Sequence, residues 1–225
     1  MTEANKNLEA FNATIAHDLC SAVTAISGYC QLLAEVCRSQ LDDQGKAYLG
    51  SIQGATLDMK QLIKSLLNFS RVSRVELCRE KIDLSAMANV VIEHLRLSEP
   101  RRRATFRIAS GVTVEGDPGL CRSVLDNLIG NAWKHSCDRE ETFIEFGVTH
   151  QAGGTAYFVR DNGPGFDMAF ADRLFACFER LPGTTVQGHG VGLATVERIV
   201  SRHGGRVWAE SEPGEGATFF FTMGA

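Results

Sequence analysis

The strongest constraint on this chain is the spacing of apolar residues over its first 72 positions. Between residues 8 and 36 they recur every three or four residues, which is the period of one helical face. A helix of about thirty residues extends roughly 45 Å, and only another long helix can cover its stripe. After the polar break Asp42–Gly45, the same spacing runs from Leu49 to Val72. The sequence therefore predicts a helical hairpin.

The apolar stripes of the two helices are too wide for one hairpin to bury. The first stripe consists of Leu8, Phe11, Ile15, Leu19, Ala22, Ile26, Tyr29, Leu33 and Val36. We expect two hairpins to associate around a twofold axis as a dimeric four-helix bundle, which makes the chain a homodimer. The alternative is a hairpin that packs on the C-terminal part of its own chain.

The composition changes after about residue 80, and the segment from Val75 to Asp83 is predicted to be a linker. Helical and strand-like segments then alternate, which is typical of an α/β layer architecture. Asp117 and Pro118 are typical of a helix start. The predicted strands are Ala104–Ile108, Val112–Glu115, Thr142–Thr149, Thr155–Arg160, Val207–Ala209 and Thr218–Thr222. The predicted domains are residues 1–80 and 81–225.

Two glycine clusters flank the most informative stretch of the second domain. The first, Asp161-Asn-Gly-Pro-Gly-Phe, follows a predicted buried strand and contains Gly163 and Gly165. The second, Gly188-His-Gly-Val-Gly-Leu, leads into a helix, so its amide groups and the positive helix end can face an anion. Either cluster alone is weak, because glycine-rich turns are common. Together, including Gly190 and Gly192, they indicate a purine pocket beside a phosphate cradle.

Two polar arrangements accompany these clusters. Asn127, Asn131 and Lys134 share one face of the helix that begins near Asp117, where they could hold Mg²⁺ and phosphate oxygens. The alternative interpretation is a solvated polar face.

On the first helix, His17 is predicted on the face opposite the apolar stripe. A neutral imidazole there is a competent nucleophile, whereas most exposed histidines are ordinary solvated surface.

Composition restricts the classes of partner. The chain has 225 residues, a formal charge of −4 and only the short basic run at residues 101–103, which we interpret as a solvated turn. Nucleic acid and membrane surfaces are therefore not expected as partners. No apolar run is expected to reach the roughly 18 to 20 residues that span a bilayer, and the seven cysteines lack paired spacing. We expect a cytoplasmic location and no membrane contact by this segment.

Several motifs resemble those of sensor histidine kinases, in family order along essentially the whole chain. They are Ala16-His-Asp-Leu19, Asp126-Asn-Leu-Ile-Gly-Asn-Ala-Trp-Lys134, the two glycine clusters and Phe175-Ala-Cys-Phe-Glu-Arg180. The resemblance implies a helical hairpin followed by an α/β two-layer sandwich of the histidine kinase, gyrase and chaperone ATPase type. It also implies ATP and Mg²⁺ as cofactors, and a response-regulator receiver domain as partner.

The resemblance also implies a role for each candidate residue. His17 would be phosphorylated, with Asp18 as acid and base. Asn131 would be a magnesium ligand assisted by Asn127, Lys134 would contact phosphate, and Asp161 would accept from the adenine amine. Arg180 would reach the terminal phosphate, and the glycines named above would line the nucleotide site. Phe175 and Phe178 would be core residues that also anchor the cover over ATP.

Two departures from the family pattern keep other functions open. Ala22 stands where the family usually has proline, and His189 where it commonly has threonine. A non-catalytic scaffold that retains the fold is one alternative. An ATPase of the related superfamily, which forms no phosphohistidine, is the other.

Overall fold

A computed structural model describes residues 3–37, 40–72, 76–151, 154–179, 188 and 190–224 of the chain. Side chains are described from Asp18 onward, except that of Gln151. The chain divides into two compact units, Met1–Arg71 and Val72–Ala225. The boundary predicted between residues 80 and 81 stays a prediction, and each unit is described by itself.

The N-terminal part of the chain forms the two long helices that the apolar period predicted. Helix α1 spans Glu3–Val36 and α2 spans Asp43–Val72. The polar break between them becomes the start of α2, because Oδ1 of Asp42 accepts a hydrogen bond from the backbone N–H of Gly45 at 2.7 Å. A side-chain acceptor at this point satisfies one of the unpaired donors of the first helical turn.

Helix α1 buries a different row of residues from its predicted stripe, whereas α2 buries Ile63, which belongs to the predicted spacing between Leu49 and Val72. Val23 and Ile63 form the buried cluster, with Cys20 and Leu67 packed against it. The stripe itself is largely exposed, at Leu19, Ile26, Tyr29, Leu33 and Val36. Two helices can enclose only a narrow seam between them, so the wide stripe beside that seam is left open.

One part of α1 contradicts the expectation about apolar runs. The segment Asp18–Val36 is, by its length and composition, apolar enough to cross a membrane, although only 11% of it is buried. The expectation was wrong because it considered uninterrupted apolar runs, whereas hydropathy averages over a whole helix. Length and composition alone are weak grounds for a membrane span, since helices of soluble proteins can meet the same criterion.

The second unit is a two-layer α/β sandwich. Its five-stranded sheet has the order β2-β4-β5-β7-β6, in which only the β2–β4 pair is parallel. The elements are β1 (Glu80–Asp83), α3 (Leu84–Ser98), β2 (Ala104–Ile108), β3 (Thr113–Gly116), α4 (Pro118–His135), β4 (Thr142–Gln151), β5 (Gly154–Asp161), α5 (Gly192–Arg202), β6 (Val207–Glu212) and β7 (Gly216–Phe221). A 3₁₀ helix spans Met168–Arg173. Helices α3, α4 and α5 cover one face of the sheet and enclose the main core. The predicted fold class is confirmed.

Part of the predicted linker is a strand. Residues Glu80–Asp83 pair antiparallel with β3, and Asp83 then caps α3 by accepting from the N–H of Ala86 at 2.9 Å. Ile82 is buried between exposed neighbours, so the short strand has an alternating pattern. The linker prediction was wrong here because the pairing partner lies some thirty residues later in the chain. Val75 lies outside the described residues.

The basic run after α3 is only partly solvated. The guanidinium of Arg102 lies 3.8 Å from the ring centroid of Trp133 and donates to Oγ1 of Thr142 at 3.0 Å. The side chain of Arg102 is therefore almost completely covered, with 11% exposed, which corrects the interpretation of this run as a solvated turn. Guanidinium groups stack well on aromatic faces, and this stacking accounts for the burial.

Candidate functional site

Asp161 ends β5, where its carboxylate is buried with 5% of the residue exposed. Oδ1 accepts from the backbone N–H of Gly163 at 2.8 Å. Burial raises the pKa of Asp161 to about 6, and this desolvation outweighs the lowering effects of the Gly163 and Ala217 N–H groups and of Arg139. A desolvated carboxylate that is oriented within a turn is well suited to accept a hydrogen bond from a ligand amine.

The first glycine cluster closes tightly on other parts of the fold. A Cβ on Gly163 would lie 2.9 Å from the backbone oxygen of His135, so the turn packs against the C-terminal end of α4. Gly165 has a φ of 64° and lies against the backbone of Glu212 and Gly216. Packing alone therefore accounts for glycine at both positions. Their predicted contact with a nucleotide stays a prediction.

The second cluster brings α4 and α5 together. A Cβ on Gly192, the first residue of α5, would lie 2.7 Å from Oδ1 of Asn127 on α4. Nδ2 of Asn127 donates to the backbone oxygen of Ser123 at 2.7 Å, which fixes the amide. Only glycine lets the start of α5 approach this side chain so closely. The structure thus joins two predicted site residues from distant parts of the sequence.

Gly190 links the second cluster to the aromatic motif. Its φ is 67°, and a Cβ would lie 2.6 Å from the backbone oxygen of Glu179. Its own oxygen accepts from the N–H of Phe178 at 2.9 Å. Gly188 is exposed, with open space where a Cβ would stand. Residues 180–187 and 189, which include Arg180 and His189, lie outside the described residues.

Asn131 and Lys134 follow Asn127 along α4, at helical spacing and on the same side. Asn131 is half-buried and Lys134 is exposed. The neighbouring face of α4 lies in the main core, where Leu125 and Leu128 are fully buried. The buried face holds α4 in place and the amide and ammonium groups stay available at its border. Their predicted roles on magnesium and phosphate stay predictions.

The expectation that Phe178 is a core residue is wrong. Phe175 packs against the main core, but Phe178 is 59% exposed and has a φ of 65°. A positive φ is unusual for a residue with a bulky side chain. Here the backbone N–H of the same residue donates a hydrogen bond to the oxygen of Gly190. Nearby, Nη2 of Arg173 pairs with Oε2 of Glu179 at 2.6 Å. The aromatic motif is therefore held by backbone and ionic contacts in addition to packing.

His17 lies in α1, at a position where the structure describes the backbone and not the side chain. Asp18 and Ser21 are exposed. The predicted outward orientation of His17 thus lies outside the described side chains and stays a prediction.

Two residues near Asp161 were missed from the sequence. Arg139, after α4, donates to the backbone oxygens of Asn162 at 2.6 Å and Gly163 at 2.8 Å. Asn162 bonds through its side chain to the N–H of Phe143 at 2.9 Å and to the oxygen of Glu141 at 2.9 Å. The sequence could have indicated Asn162, because asparagine side chains in turns often bond to nearby backbone groups. Arg139 had no comparable signal.

Comparison with known protein families gives two matches. Residues 7–74 match the His Kinase A (phospho-acceptor) domain, a range that includes His17. Residues 116–225 match the family described as histidine kinase-, DNA gyrase B- and HSP90-like ATPases. The second range contains the predicted nucleotide-site residues from Asn127 to Gly192.

Several individual proteins are similar over nearly the whole chain. Cyanobacterial phytochrome B of Nostoc sp. strain PCC 7120 is 34% identical over 99% of this chain and 30% of its own length. The methanogenesis regulatory histidine kinase FilI of Methanothrix harundinacea is 34% identical over 97% of this chain and 25% of its own length. The crystal structure of full-length ShkA in complex with AMPPNP aligns with a TM-score of 0.69 and 27% identity, over 94% of this chain and 45% of that one.

Proposed function

This chain carries the catalytic core of the sensor histidine kinase family, and from that premise we propose that it phosphorylates His17 from ATP and passes the phosphoryl group to an aspartate of a response regulator. The observation that carries the proposal is the joining of α4 and α5 at Asn127 and Gly192. The side chains of Asn131 and Lys134 lie on the same side of α4. The match of residues 7–74 to a phosphoacceptor domain supports the choice of His17.

The adenine end of the nucleotide is assigned to Asp161. Its carboxylate would accept from the exocyclic amine, a contact that guanine cannot make because it carries an oxygen at that position. The carboxylate is already desolvated and oriented by Gly163. A buried acceptor gains more from a ligand donor than an exposed one, because water does not compete for it. The complex of ShkA with AMPPNP supports an adenine nucleotide as the ligand.

The phosphate end is assigned to α4 and the start of α5. Asn131 would ligate Mg²⁺ with help from Asn127, Lys134 would contact the phosphates, and the backbone at Gly188, Gly190 and Gly192 would cradle them. Amide oxygens suit Mg²⁺, which prefers oxygen ligands and keeps several waters. When bound, Mg²⁺ neutralises charge on the phosphate oxygens. Arg180 is proposed to approach the terminal phosphate, and Gly165 to shape the turn beneath the base.

The chemical step is a phosphoryl transfer to nitrogen. A ring nitrogen of neutral His17 forms a bond to the γ-phosphorus while the bond from that phosphorus to the β–γ bridging oxygen breaks, and ADP leaves. Asp18 would accept the proton that the imidazole gives up. Catalysis of this kind rests mainly on positioning and charge neutralisation. In the second step, a carboxylate oxygen of the regulator attacks the same phosphorus, and the bond from that phosphorus to the ring nitrogen of His17 breaks.

We propose that the working unit is a homodimer located in the cytoplasm, with domains at residues 1–80 and 81–225. The exposed stripe on α1, with Tyr29 at 68% exposure and Val36 at 75%, is the surface on which a second hairpin would pack. Burying apolar area at about 25 cal/mol per Å² makes such an association favourable. The chain spans less than a third of the length of cyanobacterial phytochrome B and of the histidine kinase FilI, and sensing would belong to other parts of a longer protein.

The proposal is tested by incubation of the chain with γ-labelled ATP and Mg²⁺, beside His17→Gln and Asn131→Ala. We expect acid-labile, base-stable label on the parent chain and on neither variant. A receiver domain added afterwards should take up the label, and one that lacks its aspartate should not. Tight ATP binding without label would favour a non-catalytic scaffold. Release of inorganic phosphate without a labelled protein would favour a simple ATPase.

A further inference from the structure

Arg139 joins three separate segments of the second unit through backbone oxygens. Its Nε donates to Asn162 at 2.6 Å, and its Nη2 donates to Gly163 at 2.8 Å and to Gly214 at 2.6 Å. Asn162 and Gly163 follow Asp161 directly, and Gly214 lies in the turn between β6 and β7. One guanidinium therefore connects the α4–β4 connection, the turn after β5 and the β6–β7 turn.

We infer that Arg139 is the positioning residue that fixes the Asp161 turn for adenine recognition. This inference rests on the proposed function, in which Asp161 accepts from the adenine amine. Gly163 orients the carboxylate, because its N–H donates to Oδ1 of Asp161 at 2.8 Å. The oxygen of the same Gly163 is bound by Arg139. The N–H of Gly163 lies in one peptide unit with the oxygen of Asn162, to which Arg139 also donates at 2.6 Å. Loss of Arg139 removes this bond, so the donor that orients Asp161 is held less firmly.

The fold has separate contacts that survive removal of Arg139. The side chain of Asn162 keeps its bonds to Phe143 and Glu141, and its N–H donates to the oxygen of Phe143 at 3.2 Å. The N–H of Gly214 donates to the oxygen of Pro164 at 2.7 Å. The beginning of the turn and the β6–β7 turn stay attached without the guanidinium. We therefore expect a variant at this position to fold while Gly163 loses its fixed orientation.

The planar guanidinium has the geometry for this role. It presents several donors in a rigid fork, whereas a lysine ammonium is a compact point charge on a flexible stem. Lysine at position 139 would retain the positive charge near Asp161 and could satisfy only part of the set of three oxygens. Arg139→Lys therefore separates charge from geometry, and Arg139→Ala removes both.

A matched control is available one residue before Asp161. Arg160 donates to Oγ1 of Thr218 at 3.2 Å and lies 3.8 Å from Oε2 of Glu145. Its contacts are with side chains, and its side chain is 54% exposed. Arg160→Ala removes an arginine from β5, the strand that ends at Asp161, and removes no hydrogen bond to the backbone of the turn.

The experiment is calorimetric titration of the full chain with Mg·ADP and with Mg·GDP at neutral pH, together with thermal melting of each ligand-free variant. The parent chain is expected to prefer ADP. Arg139→Ala should lower the affinity for ADP about tenfold, the size of one lost charged hydrogen bond, and leave that for GDP within about twofold. Arg139→Lys should show an intermediate loss of the ADP preference. Arg160→Ala should bind as the parent does.

Four results would overturn the inference. One is a folded Arg139→Ala chain that keeps the full preference for ADP over GDP. Another is an equal loss of affinity for both nucleotides, which indicates general loosening of the pocket. If Arg139→Ala does not fold, an unchanged preference in folded Arg139→Lys is decisive against it. A parent chain that does not distinguish ADP from GDP overturns the proposed adenine recognition itself, and the inference with it.

Discussion

Gly192 and Asn127 stand so close that a methyl group on the glycine would lie 2.7 Å from the amide oxygen of the asparagine. The contact joins the N-terminal end of α5 to the polar border of α4, two elements separated along the chain by the whole strand pair β4–β5. In the proposed function this border binds Mg²⁺ and the phosphates. We therefore expect the distance between the two helices to affect the binding of Mg²⁺ and the phosphates.

Gly192→Ala tests this distance. The added methyl group displaces the amide of Asn127, a proposed nucleotide-site group, and breaks its 2.7 Å bond to Ser123. We expect the affinity for Mg·ATP to fall at least tenfold, or roughly 1.4 kcal/mol, as measured by calorimetric titration. Gly50→Ala on α2, where a Cβ meets nothing within 4 Å, is the matched control and should bind normally. Unchanged binding by the Gly192 variant would contradict the assignment.

Asp161→Asn should uncouple stability from binding. The native pKa of about 6 lies above the ordinary 3.8, so ionisation of Asp161 costs folding stability in full above pH 6, and this cost is lost progressively as pH falls from about 6 to 3.8. Asparagine carries no charge and keeps one acceptor oxygen for Gly163, and any bond that it loses to the N–H of Ala217 reduces the gain. The variant should gain up to about 3 kcal/mol in unfolding free energy near pH 8, and this gain should vanish near pH 4. Urea denaturation at both pH values measures it.

The same substitution should abolish the adenine preference. The parent chain should itself lose affinity for ADP as pH falls through about 6, because the protonated carboxyl no longer serves as an anionic acceptor. Asp172→Asn, at an exposed position in the 3₁₀ helix, is the control and should change neither stability nor binding. A stability gain that persists at pH 4 would show that charge is not its cause.

The elements predicted correctly are those specified by nearby residues. The helices of the hairpin follow from an apolar period, and Asp117 caps α4 through a contact three residues away, with its side chain accepting from Leu120. Asp161 was placed at a strand end because apolar residues precede it and a glycine turn follows. These features depend on local spacing, which a single sequence displays directly.

The features that were missed depend on distant parts of the chain. Strand β1 exists because it pairs with β3, and Arg139 reaches an oxygen 75 residues later in the sequence. Phe178 is exposed and has a left-handed backbone conformation, and its N–H donates to the oxygen of Gly190, twelve residues later in the sequence. No local pattern encodes such pairs, so a sequence without aligned relatives does not reveal them.

His203 illustrates the same limit and gives a stability prediction. Its fully buried ring accepts from the N–H of Asp117 at Nε2, over 3.1 Å, and lies 2.8 Å from the oxygen of Ile199 at Nδ1, so Nδ1 carries the proton. His203→Ala leaves a cavity and an unpaired donor, which should cost about 2–4 kcal/mol in unfolding free energy. Ser201→Ala, at an exposed position on the same helix, should cost little. Equal urea midpoints would contradict this role.

The exposed stripe on α1 predicts the assembly state. Leu33→Glu places a charge on that stripe and should convert the proposed dimer to a monomer, because a buried unpaired carboxylate is costly. Light scattering coupled to size exclusion measures the mass. Gln31→Glu lies on the other side of α1 and should leave the dimer intact. A dimer that persists in the Leu33 variant would place the interface elsewhere.

The central claim is that His17 receives the γ-phosphoryl group of ATP, and locating the phosphate on the chain tests it most directly. The chain is incubated with Mg·ATP, kept at alkaline pH to preserve phosphoramidate, digested and sequenced by tandem mass spectrometry. The account predicts phosphate on the peptide that contains His17, at His17 itself, and none in Asn131→Ala. Phosphate on a different residue, or ATP consumed while His17 stays unmodified, would contradict it.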